Sequence, residues 1–148
     1  MSENTAAEQA IEMPQHSEFC WTEIATDNLE ACKTFYTEVF GWQLKKSCAV
    51  DTEDFEYIEF GTNVEKQIGG MFEMKPEFYG GEQPKPHMNI YVAVDNVDET
   101  ASRAFELGGT ILRPPMDVPG VGRMCQIQDP TGARFFVITP KDLRRNER

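Results

Sequence analysis

Trp21 and Glu23 lie two residues apart in FCWTEIAT, a segment whose alternating residue types are typical of a β-strand. Successive side chains of a strand point to opposite faces, so this spacing places an indole and a carboxylate on one face. A carboxylate beside an indole loses hydrating water, which raises its pKa and suits it to act as a general base or to bind a cation. We therefore predict that Glu23 is the catalytic residue and that Trp21 lies beside it as a ligand-binding residue.

A structural role for Glu23 is the alternative. Arg134 stands on the last strand that the sequence predicts, and a buried glutamate is often paired with an arginine. The residue pattern leaves both interpretations open.

The chain has 148 residues and a formal net charge of −11. This length is typical of one domain. The negative charge argues against nucleic acid or an anionic membrane as a partner, because both bind a concentrated positive surface. No apolar run approaches the roughly 20 residues that a membrane span needs.

Cysteine usage and the N-terminal segment favour a cytoplasmic location. The four cysteines are widely separated and include no C-x-x-C pair, which indicates reduced thiols rather than a zinc site or a disulfide framework. Residues 1–17 are polar and acidic, with no signal-peptide pattern, and are expected to form a disordered tail. Residues 141–148 are expected to form a basic C-terminal tail.

The segment after the first strand predicts a helix and then three strands. Asn28 is a good N-cap, apolar residues recur at helical spacing from Leu29 to Phe40, and Gly41 suits the C-cap. An extended stretch opens at Trp42, and further strands are predicted at residues 54–61 and 66–74.

The same order then repeats. Residues 87–94 read as a strand, 95–109 as a capped helix, and 110–112, 123–128 and 134–139 as strands. Prolines predict loops at KPEFYGGEQPKP and RPPMDVPGVG. The sequence thus predicts one α+β domain over residues 18–140, made of two units (18–75 and 87–140) and a linker (76–86).

Three signatures in this order resemble the vicinal oxygen chelate superfamily, which includes glyoxalase I, bleomycin- and fosfomycin-resistance proteins and extradiol dioxygenases. They are TDNLEACKTFYTEVFGW, VAVDNVDETASRAFELGG and IQDPTGARFFVI. The resemblance implies two tandem βαβββ units that form an open, cup-shaped mixed sheet with the helices outside. Small members of the family usually dimerise, so a homodimer is expected.

Enzymes of this family hold a divalent metal with side chains from the first and last strand of each unit. Matching the signatures places Trp21, Asn89 and Phe136 at three of these positions, with the fourth near residues 70–72. Indole and phenyl groups do not bind such metals, so we predict no metal and no other cofactor. A relocated metal site built from four residues is the alternative: Glu23, Glu59, Glu73 and His87.

Without metal ligands, the cup is expected to be aromatic and apolar, which is the usual form of a small-molecule site. The predicted ligand-binding residues are Trp21, Phe72, Asn89, Tyr91, Met124, Arg134 and Phe136. Aromatic walls favour a flat or cationic ligand. A cup filled by Trp21 and Phe136 is the competing possibility.

The predicted function is therefore the binding or sequestering of a small aromatic or cationic molecule. A metal-dependent lyase or dioxygenase that uses the relocated ligands is the alternative.

Overall fold

Two copies of one β-α-β-β-β unit form the part of the chain that the computed structural model describes, residues 13–47 and 55–141. The first unit contains β1 (Phe19–Thr26), α1 (Leu29–Phe40), β2 (Gln43–Lys46), β3 (Tyr57–Asn63) and β4 (Lys66–Glu73). The second contains β5 (His87–Ala93), α2 (Val97–Glu106), β6 (Thr110–Val118), β7 (Gly122–Gln128) and β8 (Arg134–Pro140). The predicted α+β fold of tandem units is confirmed.

Both helices begin at an asparagine that caps free backbone N–H groups. Asn28 accepts a hydrogen bond from the Ala31 amide, and Asn96 accepts one from the Glu99 amide. Gly41 ends α1 with φ of 72°, a left-handed conformation that glycine adopts without steric cost. These local signals explain why α1 was predictable from sequence.

All eight strands form one sheet in the order β2-β3-β4-β1-β5-β8-β7-β6. β1 and β5 pair antiparallel at its centre, while β1 pairs with β4 and β5 with β8 in parallel. The two units therefore join strand to strand through β1 and β5, and their remaining strands extend the sheet to either side.

The helices pack on one face of this sheet over two apolar clusters. The cluster beneath α1 contains Ile24, Leu29, Ile58, Phe60 and Met71, and the cluster beneath α2 contains Val94, Val97, Ala101, Cys125, Ile127 and Val137. Ile24 and Val137 thus face the helices.

Between the two helices, the same face of β5 is left open. Met88 is 54% exposed and Ile90 is 44% exposed. The homodimer implied by the family resemblance stays a prediction.

Two segments that were predicted as loops contain regular structure. β6 runs through Pro114 and Pro115, because it is an edge strand and its register shifts between Arg113 and Met116, where missing N–H groups cost little. Pro76–Tyr79 forms a 3₁₀ turn within the predicted linker. Cys48, the predicted N-terminal tail up to residue 12 and the basic tail from residue 142 lie outside the described residues.

Within residues 13–47 and 55–141, neither helix is long and apolar enough to cross a membrane.

Gly70 is required where β4 passes beneath the Tyr57 ring, because a Cβ at this position would overlap that ring and its hydroxyl. We expect Gly70→Ala to lower the free energy of unfolding by about 1–3 kcal/mol, as overpacking of a closed site does. Denaturant unfolding measures this, with Ser102→Ala on the exposed side of α2 as control, expected within about 0.5 kcal/mol of wild type. A similarly small effect of Gly70→Ala would contradict the close packing.

Candidate functional site

A cavity of about 730 Å³ lies on the face of the sheet opposite the apolar clusters under the helices. We call it the cup. Its lining includes the side chains of eight aromatic residues: Trp21, Phe55, Tyr57, Phe72, Phe78, Tyr79, Tyr91 and Phe136. The possibility that Trp21 and Phe136 fill the cup is therefore wrong, because both side chains line an open cavity.

Glu23 is the buried carboxyl group of the cup, with 8% of its surface exposed. Its Oε1 accepts hydrogen bonds from Asn89 Nδ2 and Tyr91 Oη, each at 3.1 Å. Its Oε2 accepts one from Tyr57 Oη at 2.9 Å. The strand register explains this arrangement, since Glu23 lies opposite Asn89 on β5 and opposite Gly70 on β4, and the missing side chain at Gly70 makes room for Tyr57.

Trp21 fixes the direction of the hydrogen bond between Tyr57 and Glu23. Its Nε1–H group donates to Tyr57 Oη at 2.9 Å, so this hydroxyl accepts from the indole and donates to the carboxylate. An indole N–H group is only a donor, so the Tyr57 hydroxyl cannot donate to Trp21 and its one hydrogen is left for Glu23. Trp21 thus acts on Glu23 through Tyr57.

Burial raises the pKa of Glu23 above its usual value, while the hydrogen bonds from Asn89, Tyr57 and Tyr91 and the nearby ring of His87 offset part of that rise. Burial and the Glu23 carboxylate both raise the pKa values of Tyr57 and Tyr91, so the two phenols stay protonated and keep donating. The proton affinity of the Glu23 carboxyl group is therefore raised mainly by its loss of hydrating water.

The cup brings together seven of the eight residues predicted from sequence: Trp21, Glu23, Phe72, Asn89, Tyr91, Met124 and Phe136. Arg134 is not among the lining residues. It lies exposed at the start of β8, where its Nε donates to Gln128 Oε1 at 3.1 Å. The alternative ion pair between Glu23 and Arg134 is not formed, because the two side chains have these other partners.

Tyr57 and Arg113 line the cup but were not predicted. Residues 55, 57 and 59 occupy alternate positions in the sequence, so in a strand their side chains share one face. All three line the cavity, and this alternation could have identified Tyr57. Arg113 carried no such signal, since the prolines that follow it made its strand resemble a loop.

The residues at the family's metal positions do not fit a divalent metal. The Trp21 indole donates to Tyr57, the Asn89 amide donates to Glu23, and Phe136 stacks on Tyr91 with ring centroids 4.7 Å apart. On β4, the residue of this region that lines the cup is Phe72, and its phenyl ring offers no atom that could bind a metal.

The relocated metal site is not assembled either. Glu73 Oε1 accepts a hydrogen bond from the Leu29 amide at 3.0 Å, at the start of α1, whereas Glu23, Glu59 and His87 line the cup. Among residues 13–47 and 55–141, no three His, Cys, Asp or Glu side chains are grouped to hold a metal.

The family model of the glyoxalase/bleomycin resistance protein/dioxygenase superfamily matches residues 19–137. The chain belongs to this superfamily. The predicted resemblance to the vicinal oxygen chelate fold is thereby confirmed.

Two curated members of the superfamily are similar in sequence. "Putative glyoxylase CFP32" of Mycobacterium bovis is 32% identical over 120 residues, which are 81% of this chain and 43% of the relative. "Anthracycline biosynthesis protein DnrV" of Streptomyces peucetius is 30% identical over 126 residues, which are 79% of this chain and 45% of the relative. This chain therefore spans less than half the length of the curated relatives that it matches.

Methylmalonyl-CoA epimerase from Mycobacterium tuberculosis is similar in structure, with a TM-score of 0.64 and 12% identity. The match covers 93% of this chain and 99% of the epimerase. At this identity the likeness concerns the fold alone.

The raised pKa of Glu23 predicts a specific pH dependence of stability. In the unfolded chain the pKa of Glu23 is about 4.5. Above this pH the folded state binds more protons than the unfolded state, so the free energy of unfolding falls as the pH rises through the folded pKa. Glu23→Gln does not titrate and lacks this loss. We expect the stability of wild type relative to Glu23→Gln to decrease by up to about 1.4 kcal/mol per pH unit in that window.

Urea unfolding of both proteins from pH 4 to pH 8 measures the difference, in which the other titrating groups cancel. Parallel stability curves would show that Glu23 has the same pKa in both states.

Proposed function

We propose that the cup binds one small, flat organic molecule by ring stacking, with Glu23 as its buried polar contact. The observation that carries this proposal is a 730 Å³ cavity lined by eight aromatic side chains and one buried carboxyl group. Small-molecule sites typically measure about 300–1,000 Å³ and combine apolar walls with a few polar groups.

The aromatic walls support each other before any ligand arrives. Tyr91 and Phe136 lie nearly parallel, at 13°, and Tyr57 and Phe72 lie at 14° with centroids 6.3 Å apart. Phe55 packs against both Tyr57 and Phe72. Since these rings are already held in place, little side-chain entropy is lost on binding, which favours a rigid, flat ligand.

Glu23 favours a ligand that carries a cation or a hydrogen-bond donor. Each carboxylate oxygen accepts about two hydrogen bonds, and Oε2 has Tyr57 as its one donor among the described residues. The remaining lone pair can accept from a ligand. The relative named for anthracycline biosynthesis lends support, because anthracyclines are flat polycyclic aromatic compounds.

Proton transfer is the second candidate function, and the raised pKa of a buried Glu23 favours it. The carboxylate would take a proton from a ligand C–H group next to a carbonyl and become a carboxylic acid, while the electron pair stays on the ligand as an enolate. Returning the proton to carbon would restore the carboxylate. Tyr57 and Tyr91 hold the carboxylate oxygens in place throughout.

Binding can be measured with N-phenyl-1-naphthylamine, a neutral aromatic probe that fluoresces in apolar sites. We expect one molecule to bind per chain with a Kd on the order of 10 μM. Phe78→Ala, which removes an exposed ring of the cup, is expected to weaken binding roughly tenfold, the equivalent of one aromatic contact.

Phe105→Ala is the matched control, because Phe105 is an exposed phenylalanine on α2 outside the cup. Its affinity should equal that of wild type. Equal losses in the two variants would place the probe on the protein surface, and the absence of binding to wild type would refute the proposal.

The proton-transfer candidate has its own test with 2-tetralone, an aromatic ketone with activated C–H groups. If Glu23 acts as a base, wild type should accelerate exchange of the C1 protons in deuterated water, and Glu23→Gln should lose about 100-fold of this acceleration. Proton NMR follows the exchange. If 2-tetralone binds but exchanges no faster than in buffer, the cup binds this ligand without proton transfer.

A further inference from the structure

Arg113 presents its guanidinium group to the cup from the edge strand β6. Its Nε donates to Gln126 Oε1 at 3.2 Å, and its Nη2 donates to the Phe78 carbonyl oxygen at 2.9 Å. The Tyr79 ring lies against the same group, with its centroid 5.4 Å from Cζ. These three contacts, from β7 and from the 3₁₀ turn, fix the position of the guanidinium plane.

All of these partners are electrically neutral. Among residues 13–47 and 55–141, no carboxylate lies within ion-pair distance of Arg113, whereas Arg123 pairs with Asp98 and Asp117. Arg113 is also the one arginine or lysine among the described residues that line the cup. Partly buried arginines are usually paired, whereas Arg113 forms no ion pair with Glu23 or Glu59, the two glutamates that line the same cup.

We propose that Arg113 binds an anionic group of the ligand, so that the cup takes an aromatic or conjugated acid. This inference rests on the proposed function, since it names the class of the molecule bound there. A guanidinium group has five N–H donors, of which the two described hydrogen bonds use two. The three that remain, on Nη1 and Nη2, suit a planar carboxylate or a sulfonate.

The charges of Arg113 and Glu23 act within the same space. Glu23 raises the pKa of Tyr91 while Arg113 lowers it, so one side chain of the cup senses both groups. The aromatic walls between them suit the flat part of a ligand. A molecule with an anionic group at Arg113 and a hydrogen-bond donor or acidic C–H group at Glu23 would match this distribution of charge.

Two probes with the same aromatic skeleton test the inference. 8-Anilino-1-naphthalenesulfonate differs from N-phenyl-1-naphthylamine only by its sulfonate group. We expect wild type to bind the sulfonate probe at least roughly tenfold more tightly than the neutral one, as a charge-assisted contact with a fixed guanidinium predicts. Arg113→Gln should abolish this preference, which is measured as the ratio of the two affinities in the same variant.

Arg103→Gln is the matched control, because it makes the same change of charge on the exposed side of α2, outside the cup. The preference of this variant should remain that of wild type. Arg113→Lys keeps the charge but loses the planar fork, and should retain part of the preference.

The outcomes separate the two proposals. If neither probe binds to wild type, the proposed function fails. If the neutral probe binds but the sulfonate probe has no advantage, or keeps its advantage in Arg113→Gln, then only the role of Arg113 is overturned. Circular dichroism establishes that each variant is folded. Should Arg113→Gln not fold, Arg113→Lys decides, because an undiminished preference in that variant overturns the fork-shaped contact.

Discussion

Glu23 lies opposite Asn89, and Trp21 opposite Tyr91, because β1 and β5 pair antiparallel in one register at the centre of the sheet. A shift of this register by one residue would turn Trp21 and Glu23 toward the helices and Ile24 toward the cup. The burial of Ile24 under α1 resists such a shift. The apolar core on one face therefore determines the polar arrangement on the other, and the rest of the site is built around it.

A buried carboxyl group is costly unless donors replace its lost water. Here the replacement comes from two strands, with Asn89 and Tyr91 on β5 and Tyr57 on β3. Tyr57 reaches Glu23 only because β4 carries Gly70 between them, and Trp21 orients the Tyr57 hydroxyl. Because Tyr57 belongs to the first unit, and Asn89 and Tyr91 belong to the second, the position of Glu23 depends on the packing of both units.

Much of this arrangement could be predicted from sequence, because its signals are local. Asn28, Gly41 and the periodic apolar residues between them define α1, and alternation along β1 places Trp21 and Glu23 on one face. Alternation also put Arg134 on the face of Phe136. It could not show that Arg134 lies at the exposed beginning of β8, beyond the cavity, since reach across a sheet depends on where neighbouring strands end.

The long-range pairing of β6 could not be predicted from the sequence, for a different reason. β6 contains two consecutive prolines, and only its place at the edge of the sheet, with a register shift beside Arg113, makes a strand possible there.

The position of Arg113 also changes what the acidic composition implies. A net charge of −11 acts over long distances and is screened by salt, so it repels an approaching anion only weakly at physiological ionic strength. Contact with a fixed guanidinium inside a cavity is screened far less, and a Glu23 that keeps its proton more readily adds less repulsion. Under the proposed role of Arg113, a direct contact with its guanidinium group would select an anion although the molecule as a whole is acidic.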